Sequence, residues 1–187
     1  MAEIARSELI LGGQRSGKSR RAEWLARRWL DGDAARHAVL IATGQAGDDE
    51  MRQRIERHQR DRAERVPGMA TVEEPRALAA VLAQHSEPRT LVVVDCLTLW
   101  LTHLLMPADG PAVDAAAPSE ALCRAVRSAP GPVVLVSNEI GLGVIPMGRE
   151  VRSFVDALGG LNQAVGAACA RVTLMAAGLP LTLKDTG

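Results

Sequence analysis

Near the amino terminus, Gly12-Gly13-Gln14-Arg15-Ser16-Gly17-Lys18-Ser19 fits the pattern G-x-x-x-x-G-K-[ST] at every fixed position. That order of residue types is suited to holding a polyphosphate. Glycines let the backbone curl until successive N–H groups point at phosphate oxygens, a lysine reaches the β and γ phosphates, and a serine hydroxyl sits on Mg²⁺. Lys18 and Ser19 take the last two roles here, and Gly12, Gly13, Gln14, Arg15, Ser16 and Gly17 form the cradle. The alternative is a glycine-rich turn that merely joins a strand to a helix. The flanks argue against it: Leu9-Ile10-Leu11 leads in as a short apolar strand, and Trp24, Leu25 and Leu30 follow at helical intervals. The chain is therefore expected to bind a nucleoside triphosphate.

Two further residues have types and settings that could do chemistry. His58 lies in a segment, Asp48 to Arg65, that opens on Asp48-Asp49-Glu50, the acids expected near a helix amino terminus. Met51, Ile55, His58 and Arg62 share one face of that helix, and Arg52, Arg54, Arg57, Arg60, Arg62 and Arg65 surround the imidazole with positive charge. Two readings stand: a solvated helix with a half-buried histidine, or a neutral imidazole nucleophile in a setting suited to triphosphate charge. Asp95 ends the run Leu91-Val92-Val93-Val94, which matches the strand that partners a phosphate-binding loop, where the aspartate holds Mg²⁺ directly or through water. Without such a loop, an aspartate after an apolar strand would more often cap a helix.

Positioning these groups requires strands that end beside one another. His37-Ala38-Val39-Leu40-Ile41-Ala42 reads as a buried strand ending in Thr43-Gly44, which either face the nucleotide or form a plain turn. Val133-Val134-Leu135-Val136-Ser137 runs into Asn138-Glu139-Ile140-Gly141-Leu142-Gly143, again a site or a cap. Ala70-Thr71-Val72 is a short strand, and Glu73-Glu74-Pro75 is expected to start a helix through Leu78, Val81 and Leu82. Leu97 to Met106 reads as helix, and Pro107 to Pro118 as a mobile loop. From Arg149 a long helix continues to about Ala170, and Val172 to Ala176 and Leu181 to Leu183, separated by Gly178, close the chain as two strands. Alternating strands and helices predict an α/β fold, a mostly parallel sheet with helices on both faces and an antiparallel edge hairpin.

At 187 residues the chain suits a single domain spanning 1–187. Lys plus Arg and Asp plus Glu balance at 22 each, so no global field draws it to nucleic acid or anionic lipid. Aromatics are confined to Trp24, Trp29, Trp100 and Phe154, too few for a base-stacking platform. Cys96, Cys123 and Cys169 are far apart, without a C-x-x-C pair, and read as small core residues in a reducing compartment. No apolar run approaches a membrane span, and the amino terminus lacks the layout of a secretory signal. A cytoplasmic protein is expected. His37 precedes a strand, His85 ends a surface helix and His103 sits among leucines, so each is more simply structural.

In order and spacing, these features resemble the bifunctional adenosylcobinamide kinase and adenosylcobinamide-phosphate guanylyltransferase family. The likeness rests on the G-G-x-R-S-G-K-S loop, Ala42-Thr43-Gly44, Asp48-Asp49-Glu50-Met51 with Arg54-Ile55 and His58, and Thr71-Val72-Glu73-Glu74. It continues through Asp95-Cys96-Leu97-Thr98-Leu99-Trp100, Val136-Ser137-Asn138-Glu139-Ile140-Gly141, Gly143, Pro146 and Asn162-Gln163. The resemblance implies a RecA-like sheet, a homo-oligomer that is a trimer, and phosphorylation of adenosylcobinamide by ATP or GTP. It then implies transfer of GMP to adenosylcobinamide phosphate through a guanylylated histidine, which falls on His58. Nucleotide-contacting positions fall on the loop, on Ala42, Thr43 and Gly44, on Gln59, Arg60, Asp61 and Arg62, and on Glu73 and Asp95. Two positions depart from the pattern, Gly160 and Ala170, and bear on local helix contacts or the corrinoid site. A nucleotide-dependent switch is the rival from another class, but Asn138-Glu139-Ile140-Gly141 departs from the guanine-reading N-K-x-D. Lys184-Asp185-Thr186-Gly187 lacks the K-x-D-G order of lysine-based nucleotidyltransferases, so Lys184 is given no covalent role.

Overall fold

A computed structural model describes residues 4–46, 49–144 and 146–186. In chain order the elements are β1 (Ser7–Gly12), α1 (Lys18–Asp31), β2 (His37–Ala42), α2 (Asp49–Arg65), β3 (Ala70–Glu73), α3 (Leu78–His85) and β4 (Thr90–Asp95). There follow α4 (Leu97–Leu105), α5 (Ala116–Ser128), β5 (Val133–Val136), α6 (Arg149–Ala168), β6 (Arg171–Ala176) and β7 (Leu179–Asp185). The strands form one sheet in the order β3-β2-β4-β5-β1-β6-β7, parallel throughout except for the antiparallel β6–β7 edge. This is the RecA-like α/β arrangement expected from the sequence.

The inner strands are continuous apolar runs because both faces are covered. Leu9, Leu11, Val92, Val94, Val133 and Leu135 pack toward α3, α4, α5 and α6. Ile10, Leu91, Val93, Val134 and Val136 pack on the other face, against Ala22, Leu25 and Ala26 of α1. The period of two along each strand thus divides one run between two cores. Cys96, Cys123 and Cys169 are buried and free in these layers. Burial pushes the Cys96 thiol up to about 11, helped by the charge of Asp95, and the Cys169 thiol up to about 12. They stay protonated, as core residues should.

Several boundaries differ from the sequence expectation. Glu73 is the last residue of β3, paired with Ala42, and α3 begins only at Leu78. The Glu74 carboxylate accepts from Arg76 N and Ala77 N at 2.8 and 2.7 Å, so this acid builds a turn ahead of the helix. Helix α5 begins at Ala116, which places Pro118 in a first turn, where a missing N–H costs nothing. Helix α6 ends at Ala168, because Lys184 Nζ donates to the carbonyls of Gly166, Ala167 and Cys169 at 3.0, 3.2 and 2.6 Å and satisfies its carboxyl end. Strand β7 is longer than Leu181 to Leu183. Asp48, expected to open α2, lies outside the described residues, as do the side chains of Glu50, Met51 and Arg54. Gly160 is exposed on α6 with open space where a Cβ would be. Among the described residues no helix is long and apolar enough to cross a membrane.

One buried charge cluster ties the sheet together at the end away from the loop. Glu8, 1 % exposed, accepts from Arg21 Nε at 3.0 Å and Thr173 Oγ1 at 2.8 Å, and faces Arg171 at 3.8 Å. Arg171 also pairs with Asp185 at 2.9 Å, so β1, α1, β6 and β7 share one network. Glu8→Ala would remove the carboxylate that the largely buried Arg21 guanidinium pairs with and is expected to destabilise the protein by about 3–5 kcal/mol. Urea unfolding checks this; an unchanged midpoint would show that the network is dispensable.

Candidate functional site

The phosphate-binding loop leaves β1 between β5 and β6 and needs glycine at two points. Gly12 has φ +152, and a Cβ there would lie 2.5 Å from Ser16 Oγ and 2.6 Å from the Met175 carbonyl. Gly17 has φ +100 immediately before α1, so the first helical N–H groups turn into the loop. Gly178 N donates to Ser16 O at 3.1 Å and Glu139 N to Gly12 O at 3.1 Å, which pins the loop to its neighbours. Lys18 is buried and donates from Nζ to the Gly13 carbonyl at 2.7 Å, folding back across its own loop. Ser16 Oγ is buried without a protein partner, packed beside Gly12.

Asp95 stands across from this loop at the end of β4, held in place by the sheet. Burial pushes its carboxyl above the ordinary carboxylate range, while a hydrogen bond from Ser19 and the nearby His58, Lys18 and Arg62 act in the opposite direction. A carboxylate partly withdrawn from water beside a hydroxyl is unfavourable unless cations come to it. Ser19 and Asp95 are two hard oxygen donors, which suits Mg²⁺, a cation that keeps several waters and takes substrate phosphates rather than an all-protein cage. Among the described residues no group of His, Cys, Asp and Glu gathers as such a cage.

Helix α2 closes the other side. Its attachment is electrostatic: Arg65 pairs with Glu23 of α1 at 2.9 Å and with Asp61 at 3.2 Å, and Arg62 donates to Thr71 Oγ1 at 3.4 Å. Ile55, His58, Gln59 and Arg62 thereby face a cavity of about 240 Å³ whose other walls include Ala42, Gly44, Glu73, Asp95 and Leu99. Arg57, His58, Asp61 and Arg65 border an adjoining cleft of about 840 Å³ lined by residues 14–20 of the loop and helix start. Half-buried His58 and half-buried Asp95 line both spaces, as do Gln14, Ser19 and Asn138. A triphosphate lying on the loop would place its phosphates in the larger space and leave the smaller one for a flat group.

Most residues singled out from the sequence meet here. Gly12 and Gly13 shape the loop by their backbone. Arg15, Ser16, Gly17 and Lys18 line the cleft. Thr43 does not face it: the side chain is 0 % exposed, donates to the Cys96 carbonyl at 2.7 Å and accepts from Cys96 N at 2.9 Å, tying the end of β2 to the turn after Asp95. Arg60 is exposed and borders neither space, because it points away from the face that carries His58. His85 and His103 also lie elsewhere. The sequence reasoning missed Glu23, Leu40 and Leu99. Glu23 had a signal, since it follows Ser19 by four residues and shares its helix face; the two leucines look like any core residue.

Residues 8–183 match the family described as cobinamide kinase / cobinamide phosphate guanyltransferase. The bifunctional adenosylcobalamin biosynthesis protein CobP of Pseudomonas aeruginosa is 49 % identical over 177 residues, covering 95 % of this chain and 96 % of that protein. The bifunctional adenosylcobalamin biosynthesis protein CobU of Escherichia coli is 36 % identical, covering 94 % and 98 %. Among solved structures, the flagellar accessory protein FlaH from Methanocaldococcus jannaschii aligns with a TM-score of 0.52 at 11 % identity, covering 97 % of this chain and 80 % of its own, a likeness of fold alone.

Proposed function

The chain belongs to the cobinamide kinase / cobinamide phosphate guanyltransferase family, and from that membership we propose that one nucleotide site, within a single domain spanning 1–187, serves both reactions, with His58 carrying GMP between them. It is a nucleotide-using enzyme of cobalamin biosynthesis. The observation that carries the single-site proposal is convergence: His58 and Asp95 border both adjoining spaces, one of them walled by Lys18 and Ser19.

In the kinase step the aminopropanol hydroxyl of adenosylcobinamide attacks the γ phosphorus of ATP or GTP. A new P–O bond forms, the β–γ bridging P–O bond breaks, and the nucleoside diphosphate leaves as the hydroxyl proton passes to solvent. The enzyme supplies position and charge: Lys18 and the loop N–H groups hold the phosphates. Mg²⁺, held by Ser19 and Asp95, would neutralise developing phosphate charge. In the second reaction a neutral His58 nitrogen attacks the α phosphorus of GTP, and pyrophosphate leaves. The resulting P–N bond then breaks when a phosphate oxygen of adenosylcobinamide phosphate attacks, giving adenosylcobinamide-GDP and restoring the imidazole. Arginines beside His58, Arg57 and Arg62 among them, offer charge-assisted hydrogen bonds to the triphosphate.

GTP labelled at the α phosphate tests this, because the chain should retain label through denaturing electrophoresis. A plain kinase of a small alcohol would take none. Asp95→Asn is expected to lower Mg²⁺-dependent turnover by about 10²-fold or more while leaving the melting temperature equal or higher, since the amide keeps the shape and removes a desolvated charge. Turnover with unchanged magnesium dependence would take Asp95 out of the metal role. A cytoplasmic homo-oligomer, a trimer by family resemblance, belongs to the same proposal. Exposed Leu142, Val144 and Met147 and the β7 row Leu179, Leu181 and Leu183 support the association, as apolar surface that a second copy would cover.

A further inference from the structure

We propose that the Asn138 carboxamide binds the γ-phosphoryl group during the kinase step, and that Thr98 and Asn162 are the positioning residues that aim it. This rests on the nucleotide site proposed above and adds a residue that separates its two reactions.

Strand β5 lies between β1 and β4. Its last residue, Val136, pairs with Ile10 on one side and with Asp95 on the other. The chain leaving β5 therefore emerges between the phosphate-binding loop and the Asp95 carboxylate. It is fastened there on every side. Ser137 N donates to Ile10 O at 3.0 Å and Glu139 N to Gly12 O at 3.1 Å. Asn138 N donates to Thr98 Oγ1 in the first turn of α4 at 3.0 Å, and the Asn138 carbonyl accepts from Asn162 Nδ2 of α6 at 3.0 Å.

Both backbone polar groups of Asn138 are thus used, while the residue borders both cavities beside Gln14, Ser19, His58 and Asp95. Among the described residues no protein group is hydrogen-bonded to that carboxamide. Asn162, by contrast, is 5 % exposed, and its Oδ1 has no protein partner. Packing alone would place an apolar side chain at such a position, since a half-satisfied amide is unfavourable there. Its one bond goes to Asn138, which fits a residue retained for alignment.

The chemistry assigns the carboxamide to one reaction. In phosphoryl transfer, negative charge spreads over the equatorial oxygens of the γ-phosphoryl group, and a fixed N–H donor there stabilises the transition state. In guanylyl transfer, the bond to His58 forms at the α phosphorus and the α–β bridge breaks, so charge builds away from the γ position. A donor to the γ phosphate then contributes equally to bound GTP and to the transition state, which affects KM and not kcat.

The test compares full-length wild type with Asn138→Ala, Asn138→Asp and Asn162→Leu. Phosphorylation of adenosylcobinamide is followed with γ-labelled ATP, and single-turnover labelling of the chain with α-labelled GTP. Asn138→Ala is expected to lose about 10²-fold in kinase kcat, with the maximal guanylylation rate kept within about fivefold and the half-saturating GTP concentration raised. Asn138→Asp, of equal size but without the donors, should lose at least as much kinase kcat. Should Asn138→Ala fail to fold, this variant carries the same comparison. Asn162→Leu should show the same split more weakly, whereas a purely structural role would lower the melting temperature and both rates together. An unchanged kinase kcat, or equal losses in both reactions, would overturn the proposal. Absence of label in the wild type would count against His58 instead, and the kinase comparison would still decide the role of Asn138.

Discussion

Lys18→Ala is expected to lose phosphorylation of adenosylcobinamide by about 10³-fold and to impair guanylylation of the chain as well, because in the proposed site one loop holds the triphosphate for both reactions. The lysine is buried at the base of the loop with its ammonium on the Gly13 carbonyl, so it is already gathered where the phosphates would lie. Alanine removes a full cation from a site whose other fixed charges include the Asp95 carboxylate. Triphosphate would then be bound chiefly by backbone N–H groups, and charge developing on the β and γ oxygens would lack its nearest counter-charge. The fold should survive, since the α1 face that packs on the sheet is carried by Ala22, Leu25 and Ala26. Radiolabel transfer from each nucleotide position, measured on the same preparation, separates the two activities. Full guanylylation in the variant would mean that the second reaction uses another nucleotide site.

How far the site could be read in advance depended on whether a residue's role follows from its neighbours in sequence or from its neighbours in space. The loop was legible because glycine, lysine and serine act at fixed local offsets, and Asp95 because an acid ending an apolar strand gains meaning once such a loop is present. Helical phase put Ile55, His58 and Arg62 on one face, but what turns that face toward Asp95 is Arg65 on Glu23, a pair 42 residues apart. Thr43 shows the limit: a threonine just past a strand has the same local pattern whether its hydroxyl meets a ligand or the Cys96 backbone. Strand order was also beyond reach, since parallel strands buried on both faces all read as the same Val- and Leu-rich run. That order is what places Asn138 between the loop and Asp95. Helix ends moved for similar reasons, α6 being stopped by Lys184 from the far edge strand.

His58→Ala is expected to abolish retention of label from α-labelled GTP while the kinase step survives in larger part, because only guanylyl transfer needs a covalent carrier. Of the four histidines in the chain, His58 is the one that lines the site. A nucleophile here must be neutral, reachable and close to the α phosphorus of a triphosphate seated on the loop. His58 meets the second condition by bordering both cavities, and its helix approaches from the side opposite the loop. The bond itself gives an independent check: a histidine phosphoramidate should be labile in acid and stable in alkali, unlike a serine or aspartate ester. Removing the imidazole deletes the first displacement, so adenosylcobinamide phosphate should accumulate and no adenosylcobinamide-GDP should form above background. Label retained at the wild-type level would assign the covalent role to another residue. Loss of both activities in a folded variant would mean that His58 organises the shared nucleotide site through Asp95, whose charge it already faces.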